Sequence, residues 1–241
     1  MEQETIFSVN KRNIDRRIDS GLKLMRENYT LKEIDTREFR YLHIQQMDYT
    51  VNQYEIEGVG NLTVMECKDS LALQMDSFVF TPYYKNLPLF SSDYMYIKER
   101  RSFLNEVYSI VAKEDELYRR YVEEFAKNKS AHDHLPDMPM KECWYDSMRP
   151  VCTAKMTAPE NDDEIIGIFE ENIKTLIKME KETPLLNEEE YKLKWQRTQA
   201  YTDGLVDNGG VSTDVFKAVL GADKTKEFFN TIFFAPALYK R

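Results

Sequence analysis

Two aspartates stand out as residues able to do chemistry. Asp93 closes the run Phe80-Thr81-Pro82-Tyr83-Tyr84-Lys85-Asn86-Leu87-Pro88-Leu89-Phe90-Ser91-Ser92-Asp93, and Asp76 stands upstream in an apolar, aromatic stretch. A carboxyl at the mouth of an apolar sheet face costs free energy unless it is paired or used. Desolvation raises the pKa of such a group, which suits it to proton donation near neutral pH. The same residue types also fit satisfied polar groups in a core. Alternation along 71–80 puts Asp76, Phe78 and Phe80 on one face and Leu73, Met75, Ser77 and Val79 on the other. Asp93 is expected on the face of Asp76. Asp207 and Asn208, before Gly209-Gly210, end a helix and offer a third acid on a loop.

The elements that must position these groups follow from periodicity. Residues 8–29 read as an amphipathic helix capped by Ser8, with Ile14, Ile18, Leu22, Met25 and Tyr29 on one face and Gly21 weakening its middle. Short β-branched and aromatic segments at 39–46, 48–57, 61–67, 71–80, 93–99 and 103–111 read as strands. Their short connections predict hairpins and an antiparallel sheet. Helices are predicted from about 113, with Leu117, Tyr121 and Phe125 in register, and over 160–180. A capping box at Asn187–Glu190 opens a further helix over Tyr191–Val206. The last two helices are predicted to be capped by Ser212 and Asp223, and an edge strand is predicted within 143–156. The order of helix, strands, then helices describes an α+β fold with helices layered on an antiparallel sheet. One domain over 1–241 is the expectation.

Several classes are excluded or disfavoured. The 241 residues carry a net charge of −9, which argues against general nucleic-acid binding. Local cations for an acidic partner are Lys98, Arg100 and Arg101, with Lys240 and Arg241 at the end. No apolar run reaches the roughly 20 residues of a membrane span. Met1-Glu2-Gln3-Glu4 lacks the order of a secretion signal. Three scattered cysteines, Cys67, Cys143 and Cys152, predict a reducing compartment and no disulfide framework. Nucleotide-binding glycine motifs, HExxH and GxSxG are absent. His132 and His134, in the loop 128–142, lack enough neighbouring ligands for a metal.

The block Phe78 to Pro82, then Tyr84 to Asp93, resembles the ferredoxin-dependent bilin reductases. There a strand runs into a proline-rich loop ending in an aspartate. Gln196–Tyr201, Val215–Gly221 and Phe228–Phe234 resemble the family's closing pattern, and Trp144 and the Pro159–Glu164 helix start sit at similar places. The similarity runs from about Glu38 onward. It implies a three-layer α/β/α sandwich with a central antiparallel β-sheet and a linear tetrapyrrole between the sheet and the C-terminal helices. The implied activity is reduction of biliverdin or a related bilin at a double bond, through bilin radicals. The resemblance implies no bound metal or flavin cofactor, with electrons from reduced ferredoxin or flavodoxin. It also implies a monomer, without nucleic-acid or membrane partners, in the cytoplasm or, for an algal protein, the plastid stroma.

Residue by residue, Asp93 matches the family's central proton-donating aspartate. Asp76 stands where the enzymes that make phycocyanobilin carry histidine, which leaves the double bond open. Asp207 matches the aspartate of the C-terminal helix, and Glu66 a glutamate used in vinyl reduction, each across a small gap. The basic residue that follows Asp207 in some relatives is missing. Lys141 and Arg149 are the candidates to replace it at a propionate, with Asn208 completing the substrate-binding set. Rival readings are a chlorophyll-catabolite reductase on the same fold, a non-catalytic tetrapyrrole-binding protein and a structural domain.

Overall fold

The computed structural model describes residues 4–210 and 213–241. Helix α1 (Ile6–Asn28) precedes β1 (Leu31–Ile34), β2 (Tyr41–Ile44), β3 (Met47–Ile56), β4 (Gly60–Cys67), β5 (Gln74–Pro82), β6 (Leu89–Ile97) and β7 (Arg100–Tyr108). Then come α2 (Glu116–Ser130), β8 (Val151–Thr157), α3 (Asp162–Glu182), α4 (Glu188–Asp207), α5 (Thr213–Leu220) and α6 (Ala222–Phe228). The strands form one antiparallel eight-stranded sheet in the order β1-β3-β4-β5-β6-β7-β8, with β2 also on β3. Hairpins join the central strands in sequence, as short connections require.

Both sheet faces are apolar, so each needs a helical layer. Leu62, Val64, Phe78, Phe80, Tyr94 and Phe103 pack beneath α1, α2 and α3, and Ile14, Ile18, Leu22 and Met25 of α1 all lie in that core. On the second face, Val51, Met65, Val79, Leu89 and Tyr108 meet α4, α5 and α6 through residues such as Tyr201, Leu205, Phe216 and Phe228. The result is the expected α/β/α sandwich. No helix among the described residues is long and apolar enough to cross a membrane.

The last turn of the C-terminal layer is fastened to β3 and β4. After α6 the chain makes a π-helical turn (Phe229–Phe233) whose carbonyls face β3 and β4. The Gln53 amide donates to the Thr231 carbonyl at 3.0 Å, and the Asn61 amide and Thr63 hydroxyl donate to that of Ile232 at 3.2 and 2.8 Å. These three polar side chains are buried, so each bond avoids the cost of an unpaired group.

Several boundaries differ from the sequence reading. Thr5, not Ser8, caps α1, its side chain accepting from the Ser8 amide. β6 starts at Leu89 rather than 93, and β1 is an additional short edge strand that periodicity is too brief to reveal. Residues 143–149 form a loop with a 3-10 turn at Asp146–Met148, so only 151–157 form the edge strand. Asp223 does not cap α6: the chain enters from Gly221, whose φ of 81° suits glycine. Ser212 lies outside the described residues.

The proposed basic patch breaks up. Arg101 is buried and donates to both carboxylate oxygens of Asp162 at 2.7 and 3.0 Å. Arg241 lies over the Tyr191 ring at 4.1 Å and Lys240 over Trp195 at 5.7 Å. Those two sit beside the start of β6, whereas Lys98 turns out of its far end. His132 Nδ1 and His134 Nε2 both lie 2.9 Å from Glu164 Oε1, tying the 131–149 segment to α3. Among the described residues no cluster of three or more acidic, histidine or cysteine side chains is arranged to hold a metal.

Gly21 is a contact requirement rather than a weakness. A Cβ there would lie 2.7 Å from Phe169 Cζ and 2.9 Å from Phe78 Cε2. Helix propensity alone predicts that Gly21→Ala stabilises by about 1 kcal/mol. Overpacking in a filled core costs about 1–3 kcal/mol. Gly21→Ala is therefore expected to lower Tm, and a rise in Tm in a thermal melt would show that α1 can back away from the sheet.

Candidate functional site

Strand register decides which carboxyls meet. Directly opposed residues share a face. β5 and β6 pair Ser77 with Asp93 and Asp76 with Tyr94. Asp93 therefore projects toward the C-terminal helices and Asp76 toward α1, which corrects the expectation that they share a face. The loop 83–88 sets this register, and alternation within either strand does not reveal it.

The second face forms ordered rows across the strands. One row runs Met65, Ser77, Asp93, Leu104 and Ala154; its neighbours run Val79, Ser91, Glu106 and Cys152 on one side and Cys67, Met75, Met95, Ser102 and Met156 on the other. Ser77 donates to Asp93 Oδ1, and Ser91 donates to Oδ2 at 3.1 Å. Asp93 remains half-buried, as do Met75, Met95, Leu104, Cys152, Ala154 and Met156. The C-terminal layer thus leaves part of the β6–β8 surface open. That surface is largely apolar and rich in thioethers, with one carboxyl set into it. Methionines adapt to irregular apolar partners.

Burial pushes the Asp93 carboxyl above its ordinary value, while the hydrogen bonds from Ser77 and Ser91 and the Arg17 charge pull it down. Glu106 is the diagonal neighbour of Asp93 across β6 and β7, a separation of about 7–8 Å between Cα atoms. Burial first, and the Asp93 charge second, raise Glu106 to about 6, opposed by Arg149 and the Tyr108 hydroxyl. Arg149 pairs with Glu106 and donates to Asp146 Oδ1 at 2.7 Å. Its side chain is 9% exposed.

Aromatic rings wall this corner. Tyr201 of α4 stands 5.1 Å from Tyr108 and 6.1 Å from Tyr145, and Trp144 is 6.0 Å from Tyr201 between ring centroids. Trp144 also packs against Gly204, where a Cβ would come within 2.5 Å of its ring. The Trp144 indole donates to the Gly209 carbonyl at 2.9 Å, so the 141–149 segment and the end of α4 share one rim.

The sequence candidates divide accordingly. Asp93 and Arg149 belong to the site, and Lys141 and Asn208 are exposed at its rim. Asp207 is exposed at the last helical position of α4, whose buried face presents Tyr201, Leu205 and Val206 instead. Glu66 pairs with Asp76 across the ladder and so faces α1, 3.0 Å from the Lys68 ammonium. Asp76 is fully buried and ion-paired with Arg17. Sequence reasoning missed Ser77, Ser91, Glu106, Tyr108 and Tyr201. Alternation along β7 would have put Glu106 and Tyr108 on one face, and with the register known, beside Asp93.

No protein-family model matches the chain, and no curated relative matches its sequence. Among solved structures, the fold is that of phytochromobilin synthase from tomato in complex with biliverdin. The two superpose with a TM-score of 0.78 over 94% of this chain and 85% of that one, at 13% sequence identity. The likeness shows the α+β sandwich architecture.

The raised Glu106 carboxyl has a thermodynamic signature. Its folded value of about 6 lies above the ordinary 4.5, so its protonated form contributes stability below pH 4.5 that is lost as pH rises through 6. The contribution is about 2 kcal/mol. Urea unfolding at pH 4.5 and 6.5 is expected to show this decline in the wild type and a flatter profile in Glu106→Gln. Identical slopes would mean that Glu106 titrates normally.

Proposed function

We propose that the protein reduces a linear tetrapyrrole of the biliverdin type at a double bond, taking single electrons from reduced ferredoxin or flavodoxin. The observation that carries this reading is Asp93, half-buried on an apolar sheet face and held by two serines. It is supported by a fold shared with a protein solved in complex with biliverdin. A flat conjugated ligand matches a thioether-lined sheet face. Its carboxylates match Arg149 and Lys141, since Arg binds carboxylates in a bidentate fork. Arg149 would exchange Glu106 for a propionate, and Glu106 would then lose the charge that holds its proton affinity down.

Reduction of one double bond consumes two electrons and two protons. The electrons arrive one at a time from the donor. Asp93 supplies one proton and Glu106 the second, each carboxyl raised above its ordinary value by desolvation. Covering of the site by the ligand and the aromatic rim keeps water from the radical stage. Asp76, on the far face, supports Asp93 without touching the ligand, and exposed Asp207 serves at the rim.

The reading is tested anaerobically with biliverdin and a reduced ferredoxin, followed by absorption. Binding is expected to perturb the bilin spectrum, and reduction to bleach and replace it. Asp93→Asn is expected to bind biliverdin within a few-fold of wild type and to lose about 10²–10⁴-fold in rate. A wild-type protein that leaves the biliverdin spectrum unchanged, or an Asp93→Asn variant that turns over normally, would refute it.

A further inference from the structure

Arg17 lies beneath the site, on the opposite side of the sheet. It is 0% exposed, in the apolar layer between α1 and the strands. Its guanidinium carbon is 4.1 Å from the centroid of the Tyr94 ring and 4.5 Å from that of Phe169, so the cation sits in the corner formed by two aromatic rings. One terminal nitrogen donates to Ser92 Oγ at 3.0 Å. The other donates to the Asp76 carbonyl at 3.2 Å and pairs with the Asp76 carboxylate. Ser92 in turn donates to Asn105 Oδ1 at 2.6 Å on β7.

The residues that Arg17 grips are the immediate chain neighbours of the pair above. Asp76 precedes Ser77, and Ser92 precedes Asp93. Ser77 and Asp93 are ladder partners that hydrogen bond on the far side of the same two strands. One guanidinium thus clamps β5 to β6 directly behind the carboxyl, one strand thickness away. We infer that Arg17 is a positioning residue for Asp93: from behind the sheet it fixes the strands that carry the Ser77–Asp93 pair and supplies a positive charge that the carboxyl feels through them.

The groups acting on the pair can be named from every layer. On the site side, Glu106 of β7 and Tyr201 of α4 feel the Asp93 charge, and Arg149, Tyr108 and Cys152 stand around Glu106. From below Asp93 feels Arg17, whose own surroundings are Asp76, Tyr94 and Tyr96. Asp162 at the start of α3, in the same helical layer as Arg17, is engaged by Asn13 and Arg101. Consistent with the geometry, the Arg17 charge lowers the Asp93 pKa against the effect of burial. Only the catalytic consequence of this inference rests on the bilin reading; the positioning itself can be measured without ligand.

The test is a carbon-13 carboxyl NMR titration of Asp93, assigned with Asp93→Asn. Asp76→Asn leaves the Arg17 cation uncompensated, and Asp93 is expected to titrate about one pH unit lower than in the wild type. Removing both charges in Arg17→Met/Asp76→Asn is expected to raise it again by about one unit. Replacing a buried pair as a whole is tolerated far better than breaking it, which favours a folded double variant. Should that variant not fold, Arg17→Lys serves instead: it keeps the charge but loses the fork, so the Ser77–Asp93 bond is expected to loosen and Asp93 to titrate above the wild-type value, whereas an unchanged value would overturn the positioning role. Asp93 titrating in Asp76→Asn as it does in the wild type and in the double variant would overturn the inference and leave Arg17 a packing residue. Biliverdin binding across the same pH range separates the two ideas. A binding profile that moves with Asp93 agrees with both, whereas the expected NMR shifts without binding at any pH would refute the bilin reading alone.

Discussion

The central sheet is built around one buried ion pair. Arg17 and Asp76 are both inaccessible to solvent, and each would be costly alone in an apolar layer. Together, with Ser92 and the faces of Tyr94 and Phe169, they satisfy most of their hydrogen-bonding and charge requirements. Apolar contacts between α1 and the strands would tolerate several sliding positions. A guanidinium that must reach a carboxylate, a carbonyl and a hydroxyl on two strands tolerates one. The α1 layer is therefore registered on β5 and β6, and those strands carry the Ser77–Asp93 pair on their other side.

The two faces of the sheet are packed to different degrees. Under α1, α2 and α3 the strand residues are buried almost without exception, and the buried polar groups there are structural. Under the C-terminal helices, burial is complete near β3 and β4 and partial from Met75 through Met156. Functional groups concentrate at the border between those zones. A carboxyl there is dry enough for its pKa to rise and open enough to meet a ligand. Arg149, Trp144 and Tyr145 reach the same border from a loop segment that the His132–Glu164 contact ties back to α3. Rigid strands supply the acids, and loop residues supply the adaptable rim.

The layer order, the antiparallel sheet, the apolar stripe of α1 and the capping box of α4 were legible because each leaves a local periodic trace. Asp93 was legible as an oddly placed charge and through its proline-rich approach. The misplacement of Asp76 has a simple cause. Within β5 its face is correctly assigned beside Phe78 and Phe80, but the relation of one strand to the next depends on register. A shift of one residue inverts every facing relationship. Glu106 and Tyr201 were hidden for a related reason: each is unremarkable in its own element and significant only where β7, α4 and β6 converge. Arg101, read as surface charge, is buried because Asp162 waits for it at the start of α3, a partner sixty-one residues away.

The bonds from Gln53, Asn61 and Thr63 to the carbonyls of the last turn have a mechanical meaning. They bind the C-terminal layer along the β3–β4 side as a spine binds a book cover, while the buried Lys194 ammonium, donating to the Leu87 and Ile110 carbonyls, clasps α4 at the start of β6 and the end of β7. Cover and page are thus held at two edges, and the half-buried patch around Asp93, Met95 and Met156 lies between the clasps rather than under either of them.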